Sequence, residues 1–307
     1  MAGDLEGEIL GDYELQGRIS ESSASELYAA KNRFDDTPCA VKVFKKPASR
    51  LGPLMQSIDT RRKLKHPNIV TILDADEDNG KYYMAMEMCG KSLRQKIKSG
   101  PLPEEEAVNT AISVLKGLEY LHEQGFLSEA VRPENILECA DDAKLLVAGT
   151  VQTKNYLSPE QEEGKRLSES TDIYSLGTVL YEALKGHRPV GAFESTGNTA
   201  LDNVINKSRE RKPDKRYQAA KEMQLALEQA VTVQDDEVAE DPQPAPAPEP
   251  TPEPATEVSP AYIRAAHIAI AGAGLIFFTI LFGILAKSCS LDESYYQKPA
   301  IEKQADK

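Results

Sequence analysis

Three polar stretches of this chain hold residue types that could do chemistry. In "CAVKVF" (39–44) Lys42 sits near the end of a β-rich run, and in "VRPENIL" (131–137) Arg132, Glu134 and Asn135 fall within four residues. Ser20, Ser22 and Ser25 are spaced through a polar turn. Two cations and a carboxamide can hold anionic oxygens such as those of a phosphate ester. Asn135 alone is a poor divalent-ion ligand, since Mg²⁺ demands several oxygens in tight octahedral geometry. Asp141 and Asp142 read as turn formers, and a lone lysine at a strand end reads by default as a side chain that lays its stem on the surface with its ammonium in water.

The elements that must position these groups follow from periodicity. Residues 13–32, "YELQGRISESSASELYAAKN", alternate apolar and polar as two strands around a turn would, and 39–44 reads as a third strand. A short helix is expected around 54–64, and a long one over 103–123, opened by "PLPEEE", whose acidic first turn complements the helix dipole. Residues 1–12 read as a short flexible leader. With 307 residues and 40% hydrophobic content the chain can hold one medium domain plus appendages. The net charge of −13 argues against nucleic acid and against broad contact with anionic lipid headgroups. Cys39, Cys89, Cys139 and Cys289 show no C-x-x-C spacing and no signal peptide precedes them, so reduced thiols in a cytosolic domain are expected.

The stretch "GFLSEAVRPENIL" (125–137) resembles the catalytic loop of the bacterial membrane-anchored serine/threonine protein kinases, which have the eukaryotic-like kinase fold. That loop runs H-R-D-x-K-P-E-N. The resemblance puts Ser128 at the His position, Glu129 at the Arg position and Ala130 at the position of the catalytic Asp. It continues in "YELQGRISESSASELYAA", where Ser20, Ser22 and Ser25 replace the three glycines that let backbone amides approach phosphates. Lys42 matches the lysine that grips the α- and β-phosphates, but its helix glutamate falls on Ser57. In "AKLLVAGT" (143–150) Val147 replaces the metal-binding Asp and Ala148 the Phe. By family position Leu27, Ala40 and Leu137 would sandwich an adenine, with Glu87 at the hinge entrance. "YLSPEQ" (156–161) resembles the A-P-E motif after a nearly absent activation loop. Glu129 would repel an activation-loop phosphate where the family's arginine reads one. "DIYSLG" (172–177) matches the central helix of the large lobe, with Asp172 structural, and "KPDKRY" places Arg216 opposite Glu160 as a structural pair. Between 189 and 216 the chain looks about twenty residues shorter than the family in the region of the substrate-docking helices.

The resemblance thus implies an α+β, two-lobed protein-kinase-like fold over 13–230, with a small lobe over about 13–87 and a large one over about 88–230. Residues 231–262 read as an acidic, proline-rich linker that cannot bury a core and extends by polyproline stiffness and self-repulsion. Within 263–287, residues 268–286 are free of charge and long enough to span a bilayer as a helix. With no signal peptide, the kinase-like domain is expected in the cytoplasm and the short tail 288–307 outside. Ala269 and Ala273 form a small-xxx-small pair that could pack two such helices into a homodimer.

Two principal readings compete. In the first the chain is a degenerate, membrane-spanning pseudokinase with no intact catalytic group and no metal ligands. It would bind other proteins at the membrane, kinases or signalling components among them. It would require no cofactor and would take adenine nucleotides weakly and without Mg²⁺, through a vestigial site of Lys42, Leu27, Ala40, Glu87, Leu137 and Asn135. In the second it is a weak or unconventional ATP-dependent serine/threonine kinase using Lys42, Arg132 and Asn135. A third treats the membrane segment as a dimerisation module carrying a folded weight.

Overall fold

The structure is a computed structural model that describes residues 5–45, 48–140, 142–148, 154–189 and 194–237. The chain divides into Met1–Asp241 and Pro242–Lys307, and the second unit, including 268–286, lies outside the described residues. Among the described residues no helix is long and apolar enough to cross a membrane.

The small lobe is one antiparallel sheet of six strands in the order β1-β2-β3-β4-β6-β5. Its strands are β1 (Ile9–Leu10), β2 (Tyr13–Glu21), β3 (Ser25–Asn32), β4 (Pro38–Phe44), β5 (Ile72–Asp78) and β6 (Lys81–Glu87), with helix α1 (Ala48–Arg61) inserted after β4. The alternation read from 13–32 appears as the burial pattern of β3, where Leu27 partners Lys42 of β4 across the ladder. Two expectations are corrected here. Residues 1–12 contain β1, because Leu10 is fully buried against Tyr13, Leu15 and Tyr83, an apolar anchor that a flexible leader lacks. The helix around 54–64 begins at Ala48 and ends at Arg61, tolerating Pro53 inside it at the loss of one backbone hydrogen bond.

The large lobe is helical. It comprises α2 (Leu93–Ile97), α3 (Glu104–Glu123), the hairpin β7 (Ile136–Cys139) and β8 (Asp142–Leu145), α4 (Pro159–Glu162), α5 (Glu169–Lys185), α6 (Thr199–Ser208) and α7 (Ala220–Glu237). Helix α7 runs past residue 230 into what composition alone assigns to the linker. Helix α5 is buried along most of its length and ends on Gly186 in the left-handed conformation. Gly177 in its middle has no room for a side chain, since a Cβ there would strike Ser208 of α6. The lobes are joined by the segment after β6 and by residues 68–70, which pair with β8 through Val70 N to Leu145 O (3.0 Å) and Leu145 N to Asn68 O (2.9 Å).

A buried ion pair holds the lower part of this lobe. Arg216 donates from Nη1 and Nη2 to Glu160 at 2.7 and 2.8 Å, and Thr171 adds a hydroxyl at 3.0 Å. Burial pushes the Glu160 carboxyl up, but its hydrogen bonds with Arg216 outweigh that and bring it down to about 2. Arg216→Ala or Glu160→Ala leaves one buried charge unpaired and is expected to cost about 3–5 kcal/mol in denaturant unfolding. Because the folded pKa lies below the unfolded one, the stabilisation is full above the ordinary carboxylate range and is lost as pH falls toward about 2. An acid-unfolding profile unchanged in Glu160→Gln would remove this assignment.

Candidate functional site

The cleft between the lobes, about 450 Å³, is roofed by the β2–β3 turn and walled by Leu27, Lys42, Phe44 and Met86, with Arg132, Asn135, Leu137, Leu146 and Ala148 below. The strand register explains its apolar end. Leu27 and Lys42 are cross-strand partners, Ala40 partners Met86, and Ala40 is buried in one cluster with Met86 and Leu146, on which Leu27 and Leu137 pack. Glu87 is not part of the cleft wall. Its carboxylate accepts from the Thr71 amide (2.6 Å) and from Lys144 Nζ (2.7 Å), bracing β6 against β8. Burial pushes that carboxyl up, and these two donors outweigh it and hold its pKa below the usual range.

The turn that roofs the cleft engages three of its own amides. Ser22 Oγ accepts from Ala24 N (3.2 Å) and Ser25 N (3.1 Å), while Ser22 N donates to Ser25 O (2.8 Å). Three backbone donors of the kind a glycine-rich turn would offer a phosphate are thus already used. Glu26, at the foot of the turn and 4% exposed, ties it to Lys45 (2.9 Å) and to the Tyr28 hydroxyl (2.8 Å).

Lys42 lies half-buried in the wall with Nζ 5.8 Å from the Phe44 ring centroid. Among the described residues no carboxylate reaches it. Ser57, at the glutamate position of α1, is hydrogen-bonded to Arg61, and Asp59 is on the outside, paired with Arg62 at 3.5 Å. Burial lowers the Lys42 pKa to about 8, and the Arg132 guanidinium adds repulsion. The two acids that do line the cleft are both engaged: Glu21 with Arg18 (3.0 Å) and Lys45, and Glu134 with Arg94 (2.7 Å).

The loop below the cleft is held from behind. Asp172 of α5, 1% exposed, accepts from the amides of Ser128 (2.9 Å) and Glu129 (2.8 Å) and shares a hydrogen bond with His122 Nε2 (2.9 Å). Glu129 is thereby kept at φ +56°, a left-handed conformation that side chains disfavour. Asn135 Nδ2 donates to Ala130 O (2.9 Å), closing the loop on itself. Val147 is 2% exposed and packs in the large-lobe core. These positions do not fit a metal-bound triphosphate. Val147 and Ala130 bring no oxygen ligand, and among the described residues no group of three His, Cys, Asp or Glu could hold a metal ion. Asp142 is used elsewhere, accepting from Asn68 (2.8 Å) and Ser113, and Asp141 and Gly149 lie outside the described residues.

Sequence reasoning did not single out Arg61, whose Nη2 donates to Leu127 O (3.2 Å) and whose guanidinium lies 5.6 Å from the Phe126 ring centroid. This residue ties α1 to the large lobe. The expectation of reduced thiols is also corrected within the domain. Cys89 and Cys139 form a disulfide with their Cα atoms 4.6 Å apart, while Cys39 is a free, buried thiol and Cys289 lies outside the described residues. Their 50-residue separation gave no sign of a pairing that arises where the interlobe segment meets β7.

Fold and cleft together are those of a protein kinase domain. Residues 13–237 match the family described as Protein kinase domain, and the chain belongs to that family. Among its curated relatives is a probable serine/threonine-protein kinase of Clostridium perfringens, 31% identical over 260 residues, covering 71% of this chain and 38% of that protein. Another is the serine/threonine-protein kinase PrkC of Bacillus subtilis, 27% identical over 282 residues, covering 75% and 43%. The chain spans about two fifths of the length of these relatives. Among solved structures, a point mutant of the PknI kinase domain of Mycobacterium tuberculosis superposes with a TM-score of 0.67 at 21% identity. The match covers 75% of this chain and 100% of that one, which shows the shared α+β kinase fold.

The Lys42 environment is directly measurable. A folded pKa below the unfolded one means the unfolded chain binds more protons between pH about 8 and the ordinary lysine value, so stability rises with pH across that window. Reductively methylated Lys42 followed by NMR is expected to titrate near 8, and Arg132→Met is expected to move it upward. An ordinary lysine titration would show that the ammonium is solvated and that the cleft does not desolvate it.

Proposed function

We propose that the chain is a membrane-tethered pseudokinase, a kinase-fold scaffold or allosteric binding module that works without normal phosphoryl transfer. The observation that carries this reading is the state of the carboxylates around the cleft. The positions of the base and of the metal ligand are Ala130 and Val147, and the two acids on the wall, Glu21 and Glu134, are held in ion pairs. Without a base, a metal site or free loop amides, too few positioned groups remain for the family's mechanism. Leu27 and Leu137 on the cleft, with Ala40 buried in the same cluster, support weak adenine binding that ignores Mg²⁺. In this reading the charge-free segment 268–286 is the anchor, the domain is cytoplasmic, and the partners are other proteins at the membrane, with a second copy among them through Ala269 and Ala273.

The second reading, a weak or unconventional ATP-dependent serine/threonine kinase, is favoured by the relatives, which are named as kinases. Lys42, Arg132 and Asn135 on one cleft are the groups it would use. The relatives' names back this reading more directly than they back a scaffold, so the decision rests on transfer chemistry.

Purified protein is expected to bind adenosine about as well as ATP in calorimetric titration, with affinities unchanged by Mg²⁺ and with no label transferred from γ-labelled ATP. Ala130→Asp with Val147→Asp is expected not to restore transfer, since the loop glycines and the helix glutamate are still missing. Tight Mg·ATP binding with phosphorylation of itself or a generic substrate would install the kinase reading instead. Separately, deleting residues 268–286 is expected to move the protein from the membrane to the soluble fraction. A full-length chain found wholly soluble would end the tether.

A further inference from the structure

We propose that Cys89 and Cys139 form a reversible thiol–disulfide switch that sets the mobility of the interlobe hinge. Cys89 lies two residues beyond β6, in the segment that carries the chain from the small lobe to the large one, and Cys139 ends β7. The bond covers a short, weak patch of pairing. Beside it, among the described residues, Gly90 N to Glu138 O (2.6 Å), Glu138 N to Lys91 O (3.0 Å) and an isolated bridge between Ser92 and Leu137 fasten the hinge to the large lobe. Residues 88–92 have no regular strand or helix of their own apart from that bridge, so without the covalent tie the hinge rests on a few half-exposed hydrogen bonds. Leu137, two residues before Cys139, is part of the cleft wall, so the tie reaches the cleft directly.

The two sulfurs sit in different surroundings. Cys139 is 6% exposed, whereas Cys89 is only half-buried and flanked by exposed Met88 and Gly90. A thiolate from solution therefore meets the Cys89 side first. A low-molecular-weight thiol of the glutathione class attacks Cys89 Sγ and the S–S bond breaks, with the electron pair leaving on Cys139 as a thiolate that takes a proton from water. A second thiol molecule then releases Cys89 from the mixed disulfide. In sum, two small thiols become one small disulfide and the protein gains two thiols; oxidation runs the same steps in reverse. Cys39 takes no part, being fully buried in the small-lobe core.

The test uses the full-length chain in detergent, equilibrated in millimolar glutathione at graded ratios of reduced to oxidised form, then alkylated and peptide-mapped. Cys89 and Cys139 are expected to be protected together at the oxidised end and labelled together at the reduced end. Hydrogen exchange at the Gly90 and Glu138 amides is expected to slow at least about tenfold on oxidation, with the melting temperature up by on the order of 10 °C. Cys89→Ser and Cys139→Ser are each expected to exchange at the reduced rate in every buffer. The proposal is overturned if both cysteines label in oxidised glutathione, or if the bond survives the fully reduced buffer. It is equally overturned if wild-type hinge exchange is the same in both states, a comparison that needs no variant to fold.

Discussion

The buried carboxylate of Asp172 is the constraint on which the rest of this domain depends. Two backbone amides of the loop and the imidazole of His122 at the end of α3 converge on it at 2.8–2.9 Å, all from more than forty residues earlier in the chain. Each of those amides would be a buried donor without an acceptor if the carboxylate were gone, at about 1–3 kcal/mol apiece. The left-handed backbone at Glu129 adds a conformational cost of roughly 1–2 kcal/mol that only such an anchor can offset. Because Asp172 lies in the first turn of α5, the loop and the central helix are placed together. Further along the same helix Glu182 accepts from Tyr156 (2.6 Å) and pairs with Arg94 of α2 (2.8 Å), so one helix organises the floor of the cleft and the segment leading to α4.

Against that scaffold, the replaced positions form a pattern. Where the family keeps a group free for ligand, this chain turns the position to packing or to its own backbone. Val147 is in the core, where an unpaired aspartate would be strongly disfavoured. Ser22 closes over the amides of the turn. Asn135, which the chain keeps, donates its amide N–H to Ala130 O and fastens the loop. Each change removes an unsatisfied or strained group of the kind that functional sites carry at a cost in stability, so chemistry and scaffold separate along physical lines.

That separation explains what could be read in advance. The strands of 13–44, the acidic start of α3, the α5 motif and the Glu160–Arg216 pair are local patterns or residue types with one strong structural use, and they were legible. The cleft was legible only as a register: alignment to the motifs brought Leu27, Lys42, Arg132, Asn135 and Leu137 to one cleft and set Glu87 at the hinge entrance, at the end of β6. The Glu87 carboxylate is taken by Lys144, 57 residues away, which no local pattern encodes. The same holds for β1, whose two residues are too few for a periodicity and are recruited by the buried Leu10. Arg61 looks like one of several basic residues at a helix end until the fold sets it beside Leu127 and Phe126. Cysteine spacing says nothing of Cys89 and Cys139, because their approach is a product of the hinge running alongside β7.

The ties that join the lobes among the described residues differ in kind, the Glu87–Lys144 pair being one of them. Residues 68–70 bond to β8 through buried backbone, Arg61 reaches a carbonyl across the interface, and the hinge is stitched to β7 by exposed hydrogen bonds and one disulfide. An enzyme that turns over must let such lobes part to release product, so interlobe ties in a working transferase oppose its own cycle. A domain that presents a surface to another protein gains from the opposite property, since lobes held in one arrangement lose less freedom on association. The disulfide differs from the others in being covalent, made and broken by thiol exchange. The rigidity of this domain is adjustable at that bond, which stands at the hinge beside the cleft where the family's nucleotide would sit.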